Sequence, residues 1–96
     1  MKIILSQFVK GNEPGKWAIL HKKVESNLIP VVGHFIEDSL WKEANEIVEV
    51  ALNFEENYYF VTMKAVEFEK DARITIEEYV EMANLHGWKK PGELED

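Results

Sequence analysis

Ninety-six residues with 46% hydrophobic and 30% charged side chains and no cysteine describe a single domain, 1–96, with one core, and exclude disulfides, thiol nucleophiles and cysteine-ligated metal centres. The formal charge of −7 is unevenly spread: residues 1–35 hold five lysines and two glutamates (+3), and residues 36–96 hold six basic and sixteen acidic side chains (−10). Such an acidic surface repels nucleic acid phosphates and favours solubility or a basic partner.

The opening Met1-Lys2-Ile3-Ile4-Leu5 breaks at Ser6 and Gln7 before it reaches the length of a secretory leader. No later apolar run approaches the roughly 20 residues of a membrane span. A cytoplasmic protein that does not enter membranes is the expectation. Residues 2–10 read as a strand that stops at the turn formers Gly11, Asn12, Pro14 and Gly15. Residues 16–25 then alternate, with Ala18, Leu20 and Val24 on one side and Trp17, Ile19, His21 and Lys23 on the other, so the first two segments form a hairpin.

Pro30 leads into a third strand over residues 31–36, where Gly33 permits a bulge or a close backbone approach. Asp38 caps a short turn through Ser39, Leu40 and Trp41. The strongest strand signal covers residues 46–54. Val48, Val50, Leu52 and Phe54 fall on one face, expected to be buried, and Glu49, Ala51 and Asn53 on the other. Asn57 tolerates the left-handed conformation of a short hairpin loop leading to Tyr58-Tyr59-Phe60-Val61-Thr62-Met63. Tyr59, Val61 and Met63 share a face but Val66 and Phe68 have the opposite parity, so a bulge or bend is expected near Lys64 and Ala65.

Thr75-Ile76-Glu77-Glu78 is a capping box, with Ile74 and Tyr79 placed as a hydrophobic staple. Ile76, Tyr79, Val80 and Ala83 recur at helical spacing, and Gly87 ends the helix with Trp88 folding back. The helix is expected to lay Ile76, Val80 and Ala83 on Val48, Val50, Leu52 and Phe54. Residues 89–96 read as a loosely held tail. The fold class is α+β: an antiparallel sheet of about five strands with one C-terminal helix packed on it.

Ile29-Pro30-Val31-Val32-Gly33, a strand, a polar connection, Glu46-Ile47-Val48-Glu49-Val50 and the hairpin through Asn57 together resemble the strand spacing of small SH3-like barrels, frequent in bacterial and bacteriophage proteins. The resemblance covers about half the chain. It implies a small barrel or roll and a binding module rather than an enzyme, and it transfers no functional residue.

No dinucleotide fingerprint, P-loop or nucleophile elbow is present, and no cofactor is implied. His21 and His34, with Glu37 or Asp38, are the one set that suggests a metal-dependent hydrolase. The glutamates 49, 67, 69, 77, 78 and 81 would mimic nucleic acid phosphates if they shared a face. Lys10, Lys16, Lys22 and Lys23 around Trp17 would suit a single strand of nucleic acid, against the overall charge. Surplus aromatic side chains, an acidic helix face and first and last strands with no obvious covering element favour a further reading: a non-enzymatic module that binds a protein partner or a second copy of itself through its sheet edge or an aromatic patch. Trp17, Trp41, Tyr58, Glu77, Glu78 and Glu81 are its candidate contact residues.

Overall fold

A computed structural model describes residues 1–93. Among them are six strands, β1 (Lys2–Lys10), β2 (Trp17–Glu25), β3 (Phe35–Ile36), β4 (Asn45–Asn53), β5 (Tyr58–Met63) and β6 (Val66–Glu67), and one helix, α1 (Ile76–Leu85). None of the described helical residues forms a helix long and apolar enough to cross a membrane.

β1 and β2 pair as an antiparallel hairpin from Lys2↔Glu25 to Lys10↔Trp17. Alternation buries Ile3, Leu5 and Val9 of β1 and Ala18 and Leu20 of β2 on one face. β3 with β4 and β4 with β5 also pair antiparallel, and the departure from the antiparallel expectation is confined to the other edge of β1. β1 runs parallel to β5 and then to β6, so the strand order is β2-β1-β5-β4-β3 in a mixed sheet curled into a half-barrel. A parallel neighbour requires a long crossover, and β3 with β4 supplies it, placing the fifth strand beside the first.

The break expected near Lys64 and Ala65 separates β5 from β6. Gln7 fills it. This fully buried side chain donates from Nε2 to the carbonyls of Phe8 (2.8 Å) and Lys64 (2.9 Å) and accepts at Oε1 from Asn45 Nδ2 (2.7 Å). The amide replaces ladder bonds that the gap between β5 and β6 interrupts.

β4 corrects the sequence reading most. Ile47 pairs Met63 but Glu49 pairs Thr62, so Val48 is an extra residue in a β-bulge. Ile47 therefore points into the core and is buried, while Val48, Leu52 and Phe54 are exposed and Val50 lies at the core's margin. The third strand is also shorter than expected, only Phe35–Ile36 against Glu46 and Asn45.

The capping box forms as read: Glu78 N–H donates to Thr75 Oγ1 and Thr75 N–H to Glu78 Oε1, both at 3.1 Å. The C-terminal end is a Schellman motif, with Gly87 at φ +88°, Trp88 N–H bonded to the Ala83 carbonyl and Gly87 N–H to that of Asn84. The helix lies against β2 and the 11–16 turn, not on β4. Contact at the turn is close enough that a Cβ on Gly11 would stand 2.8 Å from Ile76 Cγ1. Ile76, Tyr79 and Ala83 are buried, and the fold-back seals Trp88 completely into the core. Lys89 then exchanges backbone hydrogen bonds with His21 at 2.7 and 2.8 Å along the outer edge of β2. Of the tail expected over residues 89–96, residues 94–96 lie outside the described residues.

Candidate interaction surface

Opposite charges of the two chain segments meet at the start and in the middle of β2. Lys16 reaches Glu77 at 3.2 Å, and Lys22 reaches Asp38 at 2.6 Å. Asp38 is the better buried, and it also accepts from Trp88 Nε1 (3.0 Å) and Leu40 N–H (3.0 Å). Burial alone would raise its pKa, but the bonds from Lys22, Trp88 and Leu40 outweigh that and hold the carboxyl below the usual carboxylate range. This clamp ties the 37–44 connection to β2 and to the helix's return. Beside it Ser39 Oγ and His86 Nδ1 stand 2.7 Å apart. The neighbouring carboxylate, Asp38, uses its oxygens on Lys22, Leu40 and Trp88 rather than on His86, so Asp38 is not placed to orient His86 as a nucleophile's base.

The contact residues named from sequence do not form one patch. Trp17 is exposed and stacks on Phe8 with centroids 5.9 Å apart. It borders a cleft of about 700 Å³ with Ile76, Glu77, Val80, Lys90 and Pro91. Trp41 leans on Trp88 with centroids 5.3 Å apart, and its indole N–H, which lacks a well-formed hydrogen bond, faces the Tyr79 hydroxyl. Glu78 is used by the capping box and Glu77 by Lys16, leaving Glu81 on the exposed helix face. Tyr58 lies at the other end of the molecule, with Lys2 Nζ 5.9 Å above its ring.

The histidines are likewise apart. His21 sits on β2, where burial lowers its pKa and Phe60 meets it edge-on at 5.4 Å, whereas His34 is bonded to β4 at the opposite side of the sheet. Among the described residues no three His, Asp or Glu side chains are grouped to hold a metal ion. The phosphate-like glutamates are also dispersed, since Glu49 belongs to β4 while Glu77, Glu78 and Glu81 belong to the helix beside β2.

The sequence reading expected an open sheet edge at the first and last strands, and did not locate the one on the outer side of β4. The loop before β3 docks on its first residues: Gly33 N–H bonds the Ile47 carbonyl (2.9 Å) and Ile47 N–H bonds the His34 carbonyl (2.8 Å). Beyond Ile47, no strand among the described residues pairs with that edge. The apolar side chains there are open to solvent: Val32 (58% exposed) and Phe35 (64%) flank the docked Gly33 and His34, then come Val48, Leu52 and Phe54 (86%), while Leu28 and Ile29 are exposed earlier in the same loop. Leu52 and Phe54 continue into a shallow depression of about 570 Å³ that includes Ala51, Phe60 and Tyr58. Tyr58 is thus the one sequence-named residue that borders this surface. The sequence signal for it was the adjacent pair Ile47-Val48, which permits either residue to face the core.

Comparison of the chain with protein-family models, with curated proteins and with solved structures found no match.

Proposed function

We propose that this protein is a non-enzymatic binding module whose contact surface is the open edge of β4 with the apolar loop that precedes β3. The observation that carries this reading is the coincidence of an unpaired strand edge with a run of exposed large apolar side chains. Each alone is common, and proteins ordinarily blunt a free edge with charge, proline or a covering element. β4 carries a single carboxylate, Glu49, along the open stretch after its bulge, and its neighbours are Val48, Val50 and Leu52. An edge of this kind offers backbone hydrogen bonds and alternate apolar side chains to an added strand. The resemblance of the strand spacing to small SH3-like barrels supports the same reading.

The test compares the parent with the double variant Leu52→Lys, Phe54→Ser by light scattering and by capture from host lysate. The parent should exceed monomer mass or retain a partner, and the variant, with two exposed sites changed, should do neither while unfolding like the parent. A parent that is monomeric and retains nothing, or a variant that binds like the parent, would overturn the reading.

A further inference from the structure

The open edge has a register of its own. Lys64 N–H bonds the Glu46 carbonyl at 2.8 Å, so on β5 the peptide groups of Lys64 and, by alternation, of Thr62, Phe60 and Tyr58 face β4. Those of Val61 and Tyr59 face the other way. Their partners on β4, Val50 and Leu52, accordingly turn their own N–H and C=O groups outward to the free edge.

We propose that the occupant of this edge is a second copy of the chain, with β4 pairing antiparallel to the partner's β4 about a two-fold axis at Ala51. The inference rests on the binding-module reading and names its partner. A two-fold axis perpendicular to a sheet keeps each side chain on its own face, so it must pass through a residue rather than between two. An axis at Glu49 would set Glu49 against Glu49 of the partner subunit, which like-charge repulsion opposes. It would also run into Ile47, whose outward groups are already bonded to Gly33 and His34.

An axis at Ala51 avoids both. It places Val50 opposite Leu52 of the partner subunit twice over, in the hydrogen-bonded positions, which gives four intermolecular backbone bonds. It sets Glu49 opposite Asn53 of the partner subunit, a carboxylate against an amide, and leaves the two small Ala51 side chains facing at the axis. The ladder ends where it must, because residue 54 falls opposite Val48, one position short of Ile47 and the docked loop. Phe54, the most exposed large apolar side chain of this surface, then comes to the neighbourhood of Val32 and Phe35 of the partner subunit.

The full chain contains no cysteine, so single cysteines report the register. Ala51 and Glu49 are both exposed, and Ala51→Cys and Glu49→Cys should each unfold like the parent. Sedimentation of the parent across micromolar to millimolar concentration should show a monomer–dimer equilibrium. Under mild oxidation Ala51→Cys should form a disulfide dimer at least tenfold faster than Glu49→Cys, because directly opposed residues have the Cα separation a disulfide needs and Glu49 lies four positions from its symmetry mate. Two results overturn the two-fold register while leaving the binding module standing: a dimer in which Glu49→Cys couples as fast, and a monomer whose edge still captures a partner that Leu52→Lys, Phe54→Ser abolishes. A monomer that captures nothing overturns both.

Discussion

Replacing Gln7 by leucine tests whether one buried amide holds the strand break together. The side chain is fully buried and makes three hydrogen bonds, to the Phe8 and Lys64 carbonyls and from Asn45 Nδ2. Leucine has nearly the same volume and none of these groups. Three bonds at about 1 kcal/mol each give a loss of about 3 kcal/mol, and the greater hydrophobicity of leucine returns about 1 kcal/mol, for a net cost of about 2 kcal/mol. The Lys64 carbonyl keeps a second donor, Asn45 Nδ2 at 2.9 Å, which is why the cost does not reach that of an orphaned buried carbonyl. For a domain of this size the melting midpoint should fall by about 10 °C. Gln7→Glu sharpens the test. Its carboxyl would face two carbonyl oxygens and be held protonated, so its folded pKa would rise above the unfolded value. The deficit relative to the parent should then be smallest below the ordinary glutamate range and grow as pH rises toward 7. Urea titrations followed by tryptophan fluorescence at pH 4 and pH 7 measure both. A Gln7→Leu protein as stable as the parent, or a Gln7→Glu deficit that does not change with pH, would refute the assignment of a structural role to the amide.

Two further outcomes are expected. Thr75→Ala should lose about 1 kcal/mol in a denaturant titration while Thr75→Asp stays near the parent, because only alanine removes the oxygen that accepts from Glu78 N–H. Asp38→Asn should cost about 2 kcal/mol at neutral pH, since it leaves Lys22 without its anion. Because the Asp38 pKa is lower folded than unfolded, its contribution is complete above the ordinary aspartate pKa of about 3.9 and fades as pH falls through the depressed value; stability-versus-pH curves of the variant should lack that part of the parent's acid slope.

Features written into short stretches of sequence were legible. The turn formers Gly11 to Gly15 and the alternation of Ala18, Leu20 and Val24 specify the first hairpin, and the Thr75–Glu78 box and Gly87 specify both ends of the helix. Each of these is decided by atoms within a few residues. What escaped depends on partners distant in the chain. Nothing within residues 2–6 states that their second neighbour is residues 58–62 in parallel, and Gln7 reads as a surface residue until the gap between β5 and β6 closes over it. Ile47, Val48 and Val50 fit two alternations equally well, and only the pairing of Ile47 with Met63 selects the one that turns Val48 outward.

The misreading of β4 as a buried strand and the failure to place the open edge on it share a physical cause. Alternation identifies which side chains share a face, and the apolar ones are assigned to the core because water disfavours them. That assignment presumes that the protein's own chain closes the sheet. Here β3 covers Asn45 and Glu46 and stops, so Leu52 stays apolar and half open, and Phe54 in the turn beyond it is almost wholly exposed. Apolar side chains on an uncovered edge gain from burial only when another strand arrives. In the register centred on Ala51, the sequence Glu49-Val50-Ala51-Leu52-Asn53 meets its own reverse with every apolar residue opposite an apolar residue and every polar one opposite a polar one, so the pattern that suggested a core strand also describes a strand completed by its copy.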